Sequence, residues 1–327
     1  MKTSRMQDIN GKVYSNNISE ICQIPIGGVS QYLMIRGQDS AKPVLLFVHG
    51  GPGQAEIGYI RSYQKDLEKH FVVVRWDQRG AGMSYSKKIS KDTFNIETFI
   101  SDLNEVTDYL IGKFNCGKII LAGHSWGTII ATYAVKNNPN KYSAYIGIGQ
   151  HVNSEEAEKI AYQYTKEQAI YQHNKKVIGM LEQIGKPPYS PKEMYIRAVC
   201  QAKIGGVFRT KPTKSMGMSL ILSKEYSLRH KIHYQKACLL SANLLVDEIS
   251  KVNLLDMVKR LEVPVLFIAG RYDYITPTIL VEQFYKKLDA PMKELIIFQN
   301  SAHLPQLEEV EQFVEILANS KLIHGEH

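Results

Sequence analysis

The residues with the clearest chemical use are Ser125, Asp273 and His303. Ser125 is the centre of "GHSWG" (Gly123 to Gly127), which fits a G-x-S-x-G pattern where the buried-looking run "KIILA" gives way to apolar residues at helical spacing from Ile129. A serine hydroxyl is too weak an acid to attack a carbonyl unaided. It needs a base within hydrogen-bond reach, and that base needs a carboxylate to orient it. A serine that only capped a helix would occupy the same place, so the partners decide the reading. His303 in "NSAHLPQLEE" is the expected base and Asp273 in "GRYDYITP" the expected carboxylate. Their order along the chain, serine then acid then histidine, is the order found when the serine sits on a sharp strand-to-helix turn.

Attack on a carbonyl also builds negative charge on its oxygen, which two backbone N–H groups must meet. "HGGPG" (His49 to Gly53) follows an apolar run and presents a backbone with almost no side chains to block a substrate. The expected donors are the N–H of Gly51 and that of Trp126, the residue after the serine. The loop lacks the Lys-Ser/Thr ending and the glycine spacing of phosphate-cradling loops. A cis bond before Pro52 would fix its shape. Among the other histidines, His124 is expected to point away from so sharp a turn and to pack. His70 ends a charged helical pattern, and His324 and His327 lie in the tail.

Something must hold these groups together. The strongest short apolar runs are "VLLFVHG" from Val44, "FVVVRWDQ" from Phe71, "KIILAGHS" from Lys118, "YIGIGQ" from Tyr145, "VPVLFIAG" from Val263 and "ELIIFQ" from Glu294. They are continuous more than alternating, as strands buried on both faces are, which predicts a parallel sheet covered by helices. Helical patterns fall between them in "IETFISDLNEVTDYLIGKF", "TIIATYAVKNN" and "TPTILVEQFYKKL". The alternation predicts an α/β, three-layered fold with right-handed crossovers. The alternating stretch "ICQIPIGGVSQYLMIRG" predicts an antiparallel hairpin at one edge. Ser125, Asp273 and His303 then share one edge of the sheet, each just past a strand end.

From His151 to Asn253 no buried-strand run occurs, and the patterns are helical. Residues 1–150 and 254–327 are therefore expected to form the core domain, and 151–253 a helical cap inserted between two strands, over the strand ends where α/β sheets bind ligands. The cap opens with "NSEE", in which Asn153 can cap a helix while Glu155, Glu156 and Glu158 sit near the positive end of its dipole.

Bulk composition narrows the function. At 327 residues, with 44% hydrophobic and 22% charged, the chain has the make-up of a folded globular protein. Its net charge of +8 forms no long basic block, so a nucleic-acid partner is not expected. Cys22, Cys116, Cys200 and Cys238 lie far apart, which fits a reducing compartment and argues against a zinc site. No apolar run has the length of a membrane span and the first residues carry no apolar leader, so the expected location is the cytoplasm.

Taken together, "HGGPG", "WDQRGAGMS" (Trp76 to Ser84), "GHSWG", "GRYDYITP" and "SAHLP" (Ser301 to Pro305) resemble the α/β-hydrolases, and more narrowly the prolyl iminopeptidase family of serine peptidases. The resemblance covers the core and not the cap. It implies a mostly parallel eight-stranded sheet, a helical cap after the sixth strand, and release of N-terminal proline from small peptides. It makes Ser125 the nucleophile, His303 the base and acid, Asp273 its orienter, and Gly51 and Trp126 the oxyanion donors. No metal or organic cofactor is implied. Asp77 and Arg79 of the "DQRGAG" loop are expected to hold loops together.

The expected activity is therefore that of a serine hydrolase working through an acyl-enzyme on a small molecule or short peptide. An aminopeptidase needs cap carboxylates for the substrate's ammonium, because an unpaired buried charge is costly. Glu155, Glu156, Glu193 and Glu225 are the candidates. Basic residues outnumber acids in the cap, with Lys203, Arg209, Lys211 and Lys214 around "GGVF". A carboxylesterase or lactonase that selects an acidic substrate is thus an alternative, and a hydrolase-fold binding protein without turnover a remote one. Oligomeric state stays open.

Overall fold

A computed structural model of the chain describes residues 3–4, 6–7, 10–210 and 213–325, without the side chains of 191 and 213–215. Eight strands form one sheet: β1 (Ile18–Ile26), β2 (Val29–Gly37), β3 (Val44–Val48), β4 (Val72–Asp77), β5 (Ile119–His124), β6 (Tyr142–Ile148), β7 (Val265–Gly270) and β8 (Lys293–Phe298). Their spatial order is β1-β2-β4-β3-β5-β6-β7-β8. β1 and β2 pair antiparallel, as do β2 and β4, and every other neighbouring pair is parallel.

The continuous apolar runs become the inner strands because both of their faces are covered. Every residue of β3, β4, β5 and β7 is buried. Alternating side chains feed two separate cores. Leu46, Val48, Val74, Trp76 and Leu121 face α1 (Ile96–Phe114), α2 (Trp126–Asn137) and α8 (Thr278–Lys287). Leu45, Phe47, Ile120, Ile146 and Ile268 face α9 (Val310–Asn319) through Phe313 and Leu317. On α1, Phe99, Leu103, Val106 and Leu110 recur at helical spacing and are all buried. Each such side chain contributes about 1.5–3 kcal/mol by leaving water. The antiparallel hairpin turns at Gly27 and Gly28, both with positive φ, +54° and +73°, as a two-residue turn between twisted strands requires.

Among the described residues between β6 and β7 the chain forms five longer helices, α3 (Ser154–Tyr171), α4 (Lys175–Ile184), α5 (Pro191–Lys203), α6 (Thr213–Leu222) and α7 (Leu228–Ile249), followed by one short turn of helix at Leu254–Met257. Asn153 caps α3 as its sequence suggests, accepting the N–H of Glu156 at 3.1 Å. Tyr162, Ala169, Val177, Leu181 and Cys200 give the helical segment a small core of its own. The inner face of α7 lies on the glycine loop after β3: Tyr234 Oη donates to Ala55 O at 2.9 Å and Cys238 Sγ to Gly53 O at 3.1 Å. No helix among the described residues is long and apolar enough to cross a membrane. Lys211, one of the basic residues around "GGVF", lies outside the described residues, as does the side chain of Lys214.

Candidate active site

The parallel strands deliver their carboxyl ends to one edge, and that edge collects the chemistry. Ser125 follows β5, Asp273 and His303 lie past the ends of β7 and β8, and Gly51 follows β3. Ser125 has φ +52° and ψ −119°, a conformation that costs a non-glycine residue energy and that its surroundings must impose. Its N–H donates to Ile148 O at 3.0 Å, and its carbonyl accepts from Thr128 N at 2.9 Å and Thr128 Oγ1 at 2.6 Å. The turn needs glycine beside it. A Cβ on Gly127 would stand 2.2 Å from Val48 O, and one on Gly123 would stand 2.8 Å from Gly127 O.

His303 and Asp273 are paired and buried. Asp273 Oδ2 meets His303 Nδ1 at 2.9 Å and accepts from Thr276 Oγ1 at 2.8 Å. Asp273 Oδ1 accepts from the N–H groups of Ile275 at 2.8 Å and Thr276 at 3.0 Å. Burial acts to raise the Asp273 pKa, but the facing imidazole and these hydrogen bonds outweigh it, so the carboxyl titrates below its ordinary value. A carboxylate acceptor at Nδ1 places the ring proton there and leaves Nε2 free to accept one.

The "HGGPG" loop is tied to the elbow by a residue that motif reading passed over. Gln78 of "WDQRG" donates through Nε2 to His49 O at 2.9 Å and accepts Trp126 Nε1–H at 3.0 Å. The Gly51–Pro52 bond is cis and Gly51 has φ +118°. Trp126 opens α2, where the first N–H groups have no acceptor within the helix. Two more imidazoles lie close by. Burial drives His49 down to about 4, and burial together with His303 drives His124 down to about 3, so both are neutral near pH 7. His124 packs as expected, its ring centroid 4.9 Å from that of His303 and its Nε2–H on His303 O at 3.1 Å. Asp77 and Arg79 hold loops. Asp77 accepts from Met83 N at 2.8 Å and from Tyr226 Oη at 2.7 Å, and Arg79 forms a buried two-point pair with Asp102 at 2.9 and 2.7 Å.

Gly51, Ser125 and Trp126 open into a cavity of about 550 Å³ roofed by the helical segment. Of the four glutamates expected to face a substrate, Glu155 alone lines it, and Glu155 is paired with Lys159 at 2.7 Å. The other three are placed elsewhere. Glu156 is on the exposed side of α3, 2.8 Å from Lys159. Glu193 is the third residue of α5 and closes a capping box with Ser190. Glu225 is buried 3.6 Å from Arg61, outside the cavity. Neither Lys203 nor Arg209 lines the cavity, and Arg209 covers the ring of Tyr272.

The wall also holds polar groups not singled out as substrate-facing from sequence, among them His151, Glu158, Lys159 and Arg197. Arg197 Nε donates to Glu158 Oε2 at 2.8 Å and Arg197 Nη2 to Glu158 Oε1, a two-point pair that is only 7% and 17% exposed. His151, just past β6, donates from Nε2 to Ser154 Oγ at 2.7 Å, whose own hydroxyl donates to Ile249 O, and burial, with His303 behind it, pushes the imidazole down to about 4. One signal for Glu158 was present: it stands three residues from Glu155, on the same helix face.

Comparison with known proteins agrees with this architecture. The family model described as "alpha/beta hydrolase fold" matches residues 43–310. A Bacillus subtilis protein named "Probable aminopeptidase YbaC" is 37% identical over 314 residues, covering 95% of this chain and 98% of its own. A proline iminopeptidase of Clostridioides difficile is 24% identical over 308 residues, covering 90% and 95%. Among solved structures, the proline iminopeptidase of Mycobacterium smegmatis superposes with a TM-score of 0.68 at 18% identity, over 94% of this chain and 98% of that one, a likeness of fold. By the extent of the family match and by its curated relatives, the chain belongs to the α/β-hydrolase fold family.

Proposed function

We propose that the chain is a serine hydrolase that works through an acyl-enzyme and releases an N-terminal residue, foremost proline, from short peptides. The observation that carries the reading is the 2.9 Å Asp273–His303 pair at the sheet edge that also holds Ser125 on its strained turn. His303 takes the Ser125 proton as Oγ attacks the carbonyl, and Asp273 holds the imidazole in the tautomer that accepts it. The developing oxyanion meets the N–H groups of Gly51 and Trp126. His303 then protonates the leaving amine, and water, activated in the same way, hydrolyses the ester on Ser125.

The substrate side rests on the cavity wall. Residues 151–253 act as a cap whose Glu158 receives the substrate ammonium and whose Arg197 receives the carboxylate of a short peptide. Each charge then exchanges one opposite partner for another and is never left bare, which a dry site demands. The relatives named as a probable aminopeptidase and as a proline iminopeptidase support this direction. An esterase selecting an acidic acyl group is the second reading, favoured by Arg197 and Lys159 in the same wall. Comparing kcat/KM for proline 4-nitroanilide with that for matched neutral and acidic 4-nitrophenyl esters separates them. Turnover of the anilide supports the peptidase. Turnover of esters alone, faster for the acidic one, assigns the chain to the esterase reading.

A further inference from the structure

The net charge is not spread evenly. Between Met194 and Val246 there are nine lysines and arginines and one acid, Glu225, so this stretch alone carries a charge of +8, equal to that of the whole chain. Glu225 is buried and turned inward to Arg61, and Arg197 is buried against Glu158, so the outward charge of the stretch is carried by cations such as Lys203, Arg209, Lys224, Arg229 and Lys236, all exposed.

The same stretch exposes large apolar side chains in a pattern. On α6, Met218, Ile221 and Leu222 recur at helical spacing and are 50%, 63% and 71% exposed. On α7, Leu228 and Ile232 are four residues apart and 73% and 67% exposed. The opposite face of α7, with Tyr234, Ala237, Ser241 and Leu245, is buried, so the outer pair is surplus to the fold. Lys231 closes the corner between the two helices by donating Nζ to Ile221 O and Ser223 O, both at 2.7 Å. Lys224, Arg229 and Lys236, all exposed, stand among these apolar residues.

We infer that the corner between α6 and α7 docks on an anionic lipid surface, its leucines and isoleucines entering the interface while its cations meet the headgroups. Apolar side chains backed by lysine and arginine are what binding at such an interface requires. A second copy is a poor occupant, since a two-fold contact would press Lys224, Arg229 and Lys236 against their own copies. Nucleic acid would meet the cations and leave the apolar side chains without a partner. The corner lies at the far end of α7 from Ile249, which lines the cavity, about 30 Å away at 1.5 Å per residue. Substitutions there leave the site's residues untouched.

The test is flotation of the intact chain with phosphatidylcholine vesicles, with and without about 30 mol% phosphatidylglycerol. The chain should float with the anionic vesicles, and about tenfold less with neutral ones or in about 0.5 M salt. Leu222→Asp with Leu228→Asp, and separately Lys224→Glu with Arg229→Glu, should each reduce flotation about tenfold at unchanged melting temperature. The charge-reversal pair decides the matter if the aspartate pair melts early. Absence of flotation, equal flotation with neutral vesicles, or binding that survives charge reversal overturns the inference. So does a dimer in sedimentation that Leu222→Asp with Leu228→Asp dissociates, which would give the corner to a second copy.

Discussion

Gln78 accepts the indole N–H of Trp126 at 3.0 Å, and through its own amide it donates to the carbonyl of His49 at 2.9 Å. One buried side chain therefore fixes the distance between the two backbone segments that carry the proposed oxyanion donors. Gln78→Leu should leave a buried donor and a buried acceptor unpaired, each costing about 1–3 kcal/mol. We predict a destabilised enzyme whose kcat falls by more than about tenfold while KM changes little, because misplaced donors act on the transition state. Steady-state kinetics check this; unchanged kcat would show that the loop holds its position without Gln78.

Arg79 and Asp102 form a pair with side chains 1% and 0% exposed. Asp102→Ala strands a guanidinium inside the protein and should cost about 3–5 kcal/mol in urea unfolding. The double change Arg79→Met with Asp102→Leu should cost less than the single one, since no charge is left bare. Equal or greater loss in the double variant would make the pair a source of net stability.

Glu158→Gln keeps the shape of the cavity wall and removes the half-buried carboxylate that pairs with Arg197. Under the peptidase reading KM for proline 4-nitroanilide should rise about tenfold with kcat less affected, while a neutral ester is turned over as before. An unchanged KM places the ammonium elsewhere.

His124 carries a pH signature. Its pKa is about 3 in the folded chain, through burial first and the neighbouring His303 second, against an ordinary value near 6.5. Below that ordinary value the unfolded chain binds a proton that the folded chain refuses, so this group's contribution to stability falls as pH falls from 6.5 towards 3. His124→Asn keeps a donor for His303 O and removes the titration. Between pH 7.5 and pH 5 the stability of the wild type should therefore fall about 2 kcal/mol more than that of the variant. Parallel urea-unfolding curves at the two pH values would contradict it.

The core was legible in the sequence because its physics is local and repetitive. Strands buried on both faces write themselves as unbroken apolar runs, and the elbow glycines stand where any Cβ would strike backbone. The helical segment was harder. Glu193 looks like a substrate acid until "SPKE" is seen as Ser190 and Glu193 closing a capping box, a signature that was open to reading. Glu225 and Glu158 cannot be told apart by type. Glu225 faces Arg61, far away in the chain, whereas Glu158 faces the cavity because α3 packs against α5, which brings Arg197, 39 positions on, beside it. Gln78 was hidden by its neighbours: in "DQRG" the charged residues draw attention, and the amide makes the bridge.

The central claim is that Ser125 becomes acylated. Treating the native chain with a fluorophosphonate probe and mapping the adduct by mass spectrometry tests it without assuming a substrate. The account predicts a single adduct on the peptide containing Ser125, lost in Ser125→Ala and slowed at least a hundredfold (~10²) in His303→Ala, which removes the base. Labelling that persists in Ser125→Ala, or its absence in a folded wild type, would contradict it.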